Sequence, residues 1–295
     1  SATEGGWSDR VLAATQAYLE WLPLRVGDTP LPPVIYRSFA FGDLFDLLML
    51  DTRLIGRDEQ AGITTVEQNE KGDPAVLADP ARSILGEAQE GWLKEQLTAS
   101  KGRGAKWRLL GNQVMFSPVT DPRDGKILES DMWDGYQASR QRVADHIVSS
   151  RIDNVVFLTG DIHTSWAFDV TLTPADPAAY DPTTGRGAFA VELVGPAVSS
   201  QGLEGNALAS AAPGLLKENN RHLKLSEVTR KGYVLVDITP EQVQGEWYYV
   251  KVYKAPGDAS EELGFAFRCA SGTPHLVEAP APTEPRAGAP ALAPA

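Results

Sequence analysis

An unbroken apolar run, Val155-Val156-Phe157-Leu158, ends in Thr159-Gly160 and then presents Asp161 and His163 one residue apart. A run with no polar alternation is a strand buried on both faces, which requires a sheet covered on both sides. In such sheets ligands bind just beyond the carboxyl ends of the strands, where this carboxylate and imidazole emerge. Gly160 would let the backbone approach a bound group closely. Asp supplies a hard oxygen and neutral His a nitrogen, a pair suited to a divalent or trivalent metal. The simpler reading stays open beside it: Asp161 capping a turn, and His163 hydrogen-bonded to a backbone carbonyl. Two ligands do not make a hydrolytic metal centre, which takes three or more.

The 295 residues are enough for one large core or two modest ones. Hydrophobic content of 42% against 22% charged residues is that of an ordinary globular protein. A net charge of −12 argues against a nucleic-acid partner and against docking on anionic lipid, both of which need a basic surface. The lone cysteine, Cys269, excludes an intramolecular disulfide and a cysteine-built zinc site. No stretch is long enough for a transmembrane helix. The opening SATEGGWSDR has neither the basic region nor the apolar core of a signal peptide. Its first residue is Ser rather than Met, which implies processing upstream.

Spacings of three and four predict a helix from Asp9 to about Trp21, closed by Pro23. Strands follow over Val34–Phe41 and Leu44–Leu50, the second discharging Asp51-Thr52-Arg53 at its end. Arg57 to Pro80 reads as a long surface loop. Then come a helix over Ser83–Ser100 and a strand over Trp107–Phe116, interrupted at Gly111-Asn112. The loop Ser130-Asp131-Met132-Trp133-Asp134-Gly135-Tyr136 leads into a helix ending near Ser150, before the strand with the Asp and His. Later strands are expected over 166–172, 188–194, 232–238 and 244–253. The pattern is α/β, a layered sandwich. From Glu278 the tail is almost all Ala and Pro, a composition expected to be disordered.

Of four histidines, His146 reads as a surface or half-buried helical residue, His222 as part of a solvated loop, and His275 as incidental to the tail. Asp51 is either a carboxylate lining a site or, more simply, half of an Asp–Arg pair tying strand end to loop. Arg53 is open between that role and a phosphate contact, for which its planar fork is suited. Asn112 is either a metal ligand or turn chemistry. Trp133 and Asp134 are either the wall of a pocket, touching substrate, or the anchor of a turn ahead of the helix. Ser199-Ser200 lack a nucleophile elbow, and neither a Walker loop nor a dinucleotide fingerprint is present.

Taken together, IYRSFAFGDLFDLLMLDTR, WLKEQLTAS, KWRLLGNQVMF, SDMWDGY with Arg140, VVFLTGDIHTSW, VELVGPAVSS and KGYVLVDITPEQVQGEWYYV resemble the C-terminal half of PhoD-like alkaline phosphatases, of the metallophosphoesterase superfamily. The likeness runs from about Trp7 to Val252. It implies an α/β/β/α sandwich with a dinuclear metal site of calcium and ferric iron, and hydrolysis of phosphate monoesters and often diesters. A branch similar in sequence acts as a phospholipase D. The family's late GDxH motif maps onto Asp161 and His163, so the resemblance implies that these two are metal ligands. Arg53, Trp133 and Asp134 are the candidate substrate contacts. No side-chain nucleophile is assigned, since metal-bound water would serve.

The family's other ligands belong to an Asp-rich segment, a GDxxY-type segment and a WDDHE segment, none of which occurs here. By resemblance residues 1–277 form the second half of the catalytic domain, and 278–295 a disordered tail. The partner expected is the N-terminal half of the same enzyme, as a second chain or a missing segment. A non-catalytic fragment is the alternative from another class. Location in the periplasm or outside the cell is implied by the likeness alone.

Overall fold

The apolar run forms the middle of a sheet because both of its faces find cover. The computed structural model describes residues 5–24, 33–61, 73–202, 212–251, 257–258, 260–285 and 288. In chain order the first elements are α1 (Trp7–Trp21), β1 (Arg37–Phe41), β2 (Phe45–Met49), a single turn α2 (Pro74–Leu77), α3 (Gly86–Arg103) and β3 (Trp107–Asn112). A 3₁₀ turn at Trp133–Tyr136 runs into α4 (Gln137–Ser149), then β4 (Val155–Thr159), β5 (Ser165–Val170) and β6 (Ala190–Val194). Last come α5 (Ala212–Asn219), β7 (Leu223–Glu227), β8 (Gly232–Ile238), β9 (Gln242–Val250), β10 (Glu261–Ala270) and β11 (Leu276–Glu278).

Seven strands make one mixed sheet in the order β1-β2-β3-β4-β6-β5-β7, and four make a second in the order β11-β10-β9-β8. Within the large sheet β2, β3, β4 and β6 are parallel, and the other neighbours pair antiparallel. Along β4 the side chains alternate: Val155 and Phe157 join the core under the helices, with Leu93, Leu97, Val143 and Ile147 of α3 and α4. Val156 and, half-buried, Leu158 join the core beneath the small sheet, with Trp247 and Phe267. Fully burying side chains of this size stabilises by roughly 1.5–3 kcal/mol each. Gly111 serves the same packing, because a Cβ there would run into Met49 of the neighbouring strand.

The layers are therefore helix, sheet, sheet. The second helical layer that the resemblance implies is not present among the described residues. Tyr233, Leu235, Leu263 and Val277 of the small sheet stay exposed. The cover is also incomplete at one side of the large sheet. On β2, Leu48 is buried under α3, whereas Phe45, Leu47 and Met49 on the opposite face are half-exposed. Phe39 and Phe41 of β1 are exposed, and β8 is an edge strand. The apolar spacing of α1 does not mark a buried stripe either: Thr15 is its one buried residue, and Trp21 is 84% exposed.

Three expectations need correction. Part of the long loop lies outside the described residues, and its described part contains α2 and is tied down. The tail from 278 onward begins ordered: Glu278 ends β11, the Ala279 N–H donates to the Ala266 carbonyl, and the Thr283 N–H donates to Glu246 Oε1. The Ala266 carbonyl of β10 and the Glu246 carboxylate of β9 supply those partners, which composition cannot show. His222 is not solvated. It is 0% exposed against the Phe168 ring, with Nε2 bonded at 2.9 Å to the Pro118 carbonyl.

Burial penalises the charged His222 imidazole and depresses its pKa to about 3, although the bond to Pro118 works the other way. The unfolded chain takes up this proton near pH 6.5, and the folded chain resists until about pH 3. Stability from His222 is thus complete above pH 6.5 and is lost as pH falls. Urea unfolding between pH 6.5 and 4 is expected to show His222→Gln with a stability slope shallower than the parent by about 1.4 kcal/mol per pH unit. Equal slopes would contradict a neutral buried His222.

Candidate metal centre

β2, β3 and β4 end side by side, and the chain leaves β4 through Gly160-Asp161-Ile162-His163-Thr164. Asp161 and His163 both adopt left-handed backbone, with φ of 69° and 61°. That conformation costs a residue with a Cβ about 1–2 kcal/mol, and two such residues within three persist only where neighbours hold them. Gly160 is not where the strain falls: its φ is not positive, and a Cβ there would meet nothing within 4 Å. The expected close backbone approach at Gly160 is replaced by two strained side-chain-bearing residues.

Four contacts hold the turn. The Ile162 N–H donates to the Gly160 carbonyl at 2.8 Å. The Trp166 indole N–H donates to Thr164 Oγ1 at 2.6 Å. His163 Nδ1 lies 2.7 Å from the Gln201 carbonyl, so Nδ1 carries a hydrogen, and in the neutral ring Nε2 is the nitrogen with the lone pair. Arg53 Nη2 forms an ion pair with Asp161 Oδ1. The carbonyl partner of His163 and the metal role are therefore compatible: fixing one ring nitrogen is how a ligating imidazole is oriented. Both side chains are exposed, and among the described residues the bond the Asp161 carboxylate makes is to Arg53.

Arg53 comes from the end of β2, and its backbone is placed by Asp51. The Asp51 carboxylate accepts the N–H groups of Arg53, Leu54 and Ile55, while Gln89 brackets its own backbone. Asp51 is thus a buried turn cap, not the partner of Arg53. The partner is Asp131, at 2.7 Å from Nη1. Arg57, lying over the Tyr136 ring, grips the other oxygen of Asp131 at 2.5 Å. Burial works to lower the pKa of Arg53, but the bonds to Asp131 and Asp161 outweigh it and raise the value above that of a free guanidinium. Arg53 is a fixed positive charge.

The other two candidate substrate contacts do not reach this surface. Trp133 is 0% exposed, with its indole N–H on Asn112 Oδ1 at 3.0 Å. Asp134 is 2% exposed, paired with Arg140 and accepting the Val119 N–H. Both anchor the loop from within. Asn112 is buried as well, its amide donating to the Val114 carbonyl and to Thr159. Sequence reasoning missed Asp131, although it lies in the quoted SDMWDGY segment, and missed Glu192. Glu192 is fully buried and accepts the N–H groups of Phe116 and Ser117, both at 2.8 Å, and the Thr159 hydroxyl at 2.7 Å. Burial raises its pKa, against those hydrogen bonds. It stitches the exits of β3 and β4 to β6, one residue before the turn begins.

Among the described residues no group of three or more His, Cys, Asp or Glu side chains is placed to hold a metal. Asp161 and His163 are a pair with one oxygen and one nitrogen on offer. The donor types fit a hard or borderline cation, and the locked tautomer fits ligation.

A family model for PhoD-like phosphatases matches residues 1–247. Alkaline phosphatase D of Bacillus subtilis (strain 168) is 34% identical over 263 residues, covering 88% of this chain and 42% of that protein. A solved structure of PhoD superposes with a TM-score of 0.77 at 30% identity, covering 93% of this chain and 49% of that one. The chain thus spans less than half the length of these relatives. With the family model covering most of its length, and the mixed sheets matching a solved member, the chain belongs to the PhoD-like phosphatase family.

Proposed function

We propose that this chain is part of a metal-dependent phosphoric ester hydrolase and that Asp161 and His163 are two of the ligands of its dinuclear centre. The observation that carries the reading is the turn after β4. Two side chains are held in strained backbone, the imidazole tautomer is fixed by the Gln201 carbonyl, and both sit at the ends of parallel strands. Calcium and ferric iron, implied by the family likeness, are consistent with a carboxylate and an imidazole. When bound, the metals would supply Lewis-acid polarisation of the phosphoryl group and an activated water.

The chain's own contribution is positioning and charge. Arg53 spends one N–H on Asp131 and one on Asp161, so three of its five donors are left for phosphoryl oxygens. Charge spreads over those oxygens in the transition state, so a fixed guanidinium beside them lowers the barrier. The further ligands a two-metal site requires belong, in this reading, to polypeptide beyond these 295 residues, the N-terminal half of the enzyme. The donor count and the half-exposed faces of β1 and β2 support it. Location in the periplasm or outside the cell belongs to the same proposal.

His163→Ala in the enzyme with its full ligand set is expected to lower kcat at least a hundredfold and to reduce bound metal, measured by elemental analysis. Parental activity and metal content would end the assignment. Arg53→Gln and Asp131→Asn are each expected to speed amide hydrogen exchange in residues 160–164 about tenfold, because each breaks the chain of charges that holds Asp161. Unchanged exchange in both variants would show that the turn holds itself.

A further inference from the structure

A cavity of about 310 Å³ opens between α1 and the exit of β2, and Arg53 lines it. The guanidinium of the same residue reaches Asp161, so Arg53 belongs both to the cavity lining and to the contacts of the turn after β4. Its walls are mostly carbon: Ala14 and Tyr18 of α1, Ile35, and Leu54. Of its other polar residues, Asp51 and Gln113 are already committed. The Asp51 carboxylate takes three backbone N–H groups, and Gln113 bonds to the Leu50 carbonyl and to Thr52.

Thr15 is different. It lines the cavity, is 5% exposed, and its hydroxyl has no hydrogen-bond partner among the described residues. A buried hydroxyl left unsatisfied is destabilising, and a ligand with a polar atom would relieve it. The volume is in the range of small-molecule pockets, roughly 300–1,000 Å³, which combine apolar walls with a few placed polar groups.

We propose that this cavity seats the organic group of the phosphate ester, and that the preferred group is apolar, an aryl or alkyl substituent. Arg53 then stands where the apolar part of the substrate meets its phosphoryl part, and the Thr15 hydroxyl bonds a polar atom on the substituent. The inference rests on the phosphoesterase reading for the reacting end of the substrate. It adds which esters are taken, and assigns the choice to α1 and Leu54.

The test compares 1-naphthyl phosphate with glycerol 2-phosphate in the enzyme with its full ligand set. Ala14→Phe, at an exposed helix position lining the cavity, is expected to lower the ratio of kcat/KM for the naphthyl ester to that for the glycerol ester at least tenfold. Thr15→Val is expected to lower kcat/KM for 4-nitrophenyl phosphate about fivefold relative to 1-naphthyl phosphate, the scale of one net hydrogen bond. Fluorescence titration of 1-naphthol reads the cavity without turnover, and Ala14→Phe should weaken that binding at least tenfold. An ester ratio and a 1-naphthol affinity both within twofold of the parent would overturn the proposal. Asp161→Asn separates the two readings: loss of turnover on both esters upholds the phosphoesterase reading whatever the cavity variants do, and parental turnover in that variant defeats it.

Discussion

Glu192 is a buried acid on β6 with no ion-pair partner among the described residues. It survives there because three donors converge on it from two different strand exits. A buried acid left without those donors would cost several kcal/mol, so the segment after β3 and the end of β4 are bound to β6 as one unit. Everything that follows inherits that rigidity. Thr159 is both a donor to Glu192 and the last residue of β4, so the Gly160–Thr164 turn starts from a fixed point. The left-handed residues are tolerable only on such a base.

Around that base the site is built from charges borrowed across long sequence distances. Asp131 from the loop before the 3₁₀ turn holds Arg53 from β2, and Arg53 holds Asp161 from β4. Arg57 closes the far end of the series against the Tyr136 ring. Two arginines and two aspartates balance, so the series adds no net charge to the surface. It does fix which oxygen of Asp161 faces outward. Gln201 does the same for His163 from the segment after β6. Each of the two side chains is thus oriented by a different part of the chain.

The fold was legible where burial is two-sided. The run Val155–Leu158 carries its own signature, and its neighbours β2 and β3 show the same apolar density. Asp161 and His163 were legible as a pair because the strand that delivers them is so clear. What could not be read was every contact that depends on spatial proximity. SDMWDGY looks like a pocket wall, yet Trp133 and Asp134 point inward, and the residue that faces the site is Asp131. His222 sits in a polar stretch, but β7 begins at the next residue and draws it into the core. The stripe on α1 has helical spacing and little cover, since periodicity reports an apolar face and says nothing of what lies against it.

The geometry at β8 has a consequence of its own. Its outer edge offers backbone groups in the plane of the small sheet, while Phe45, Leu47 and Met49 lie half-open on the large one. A strand added at β8 has its alignment chosen by the backbone ladder, and each alternate side chain must then fit the floor that β1 and β2 provide. A slip of one residue would turn its apolar set away from that floor. Two independent surfaces would have to accept the same register, and so the frame admits few sequences.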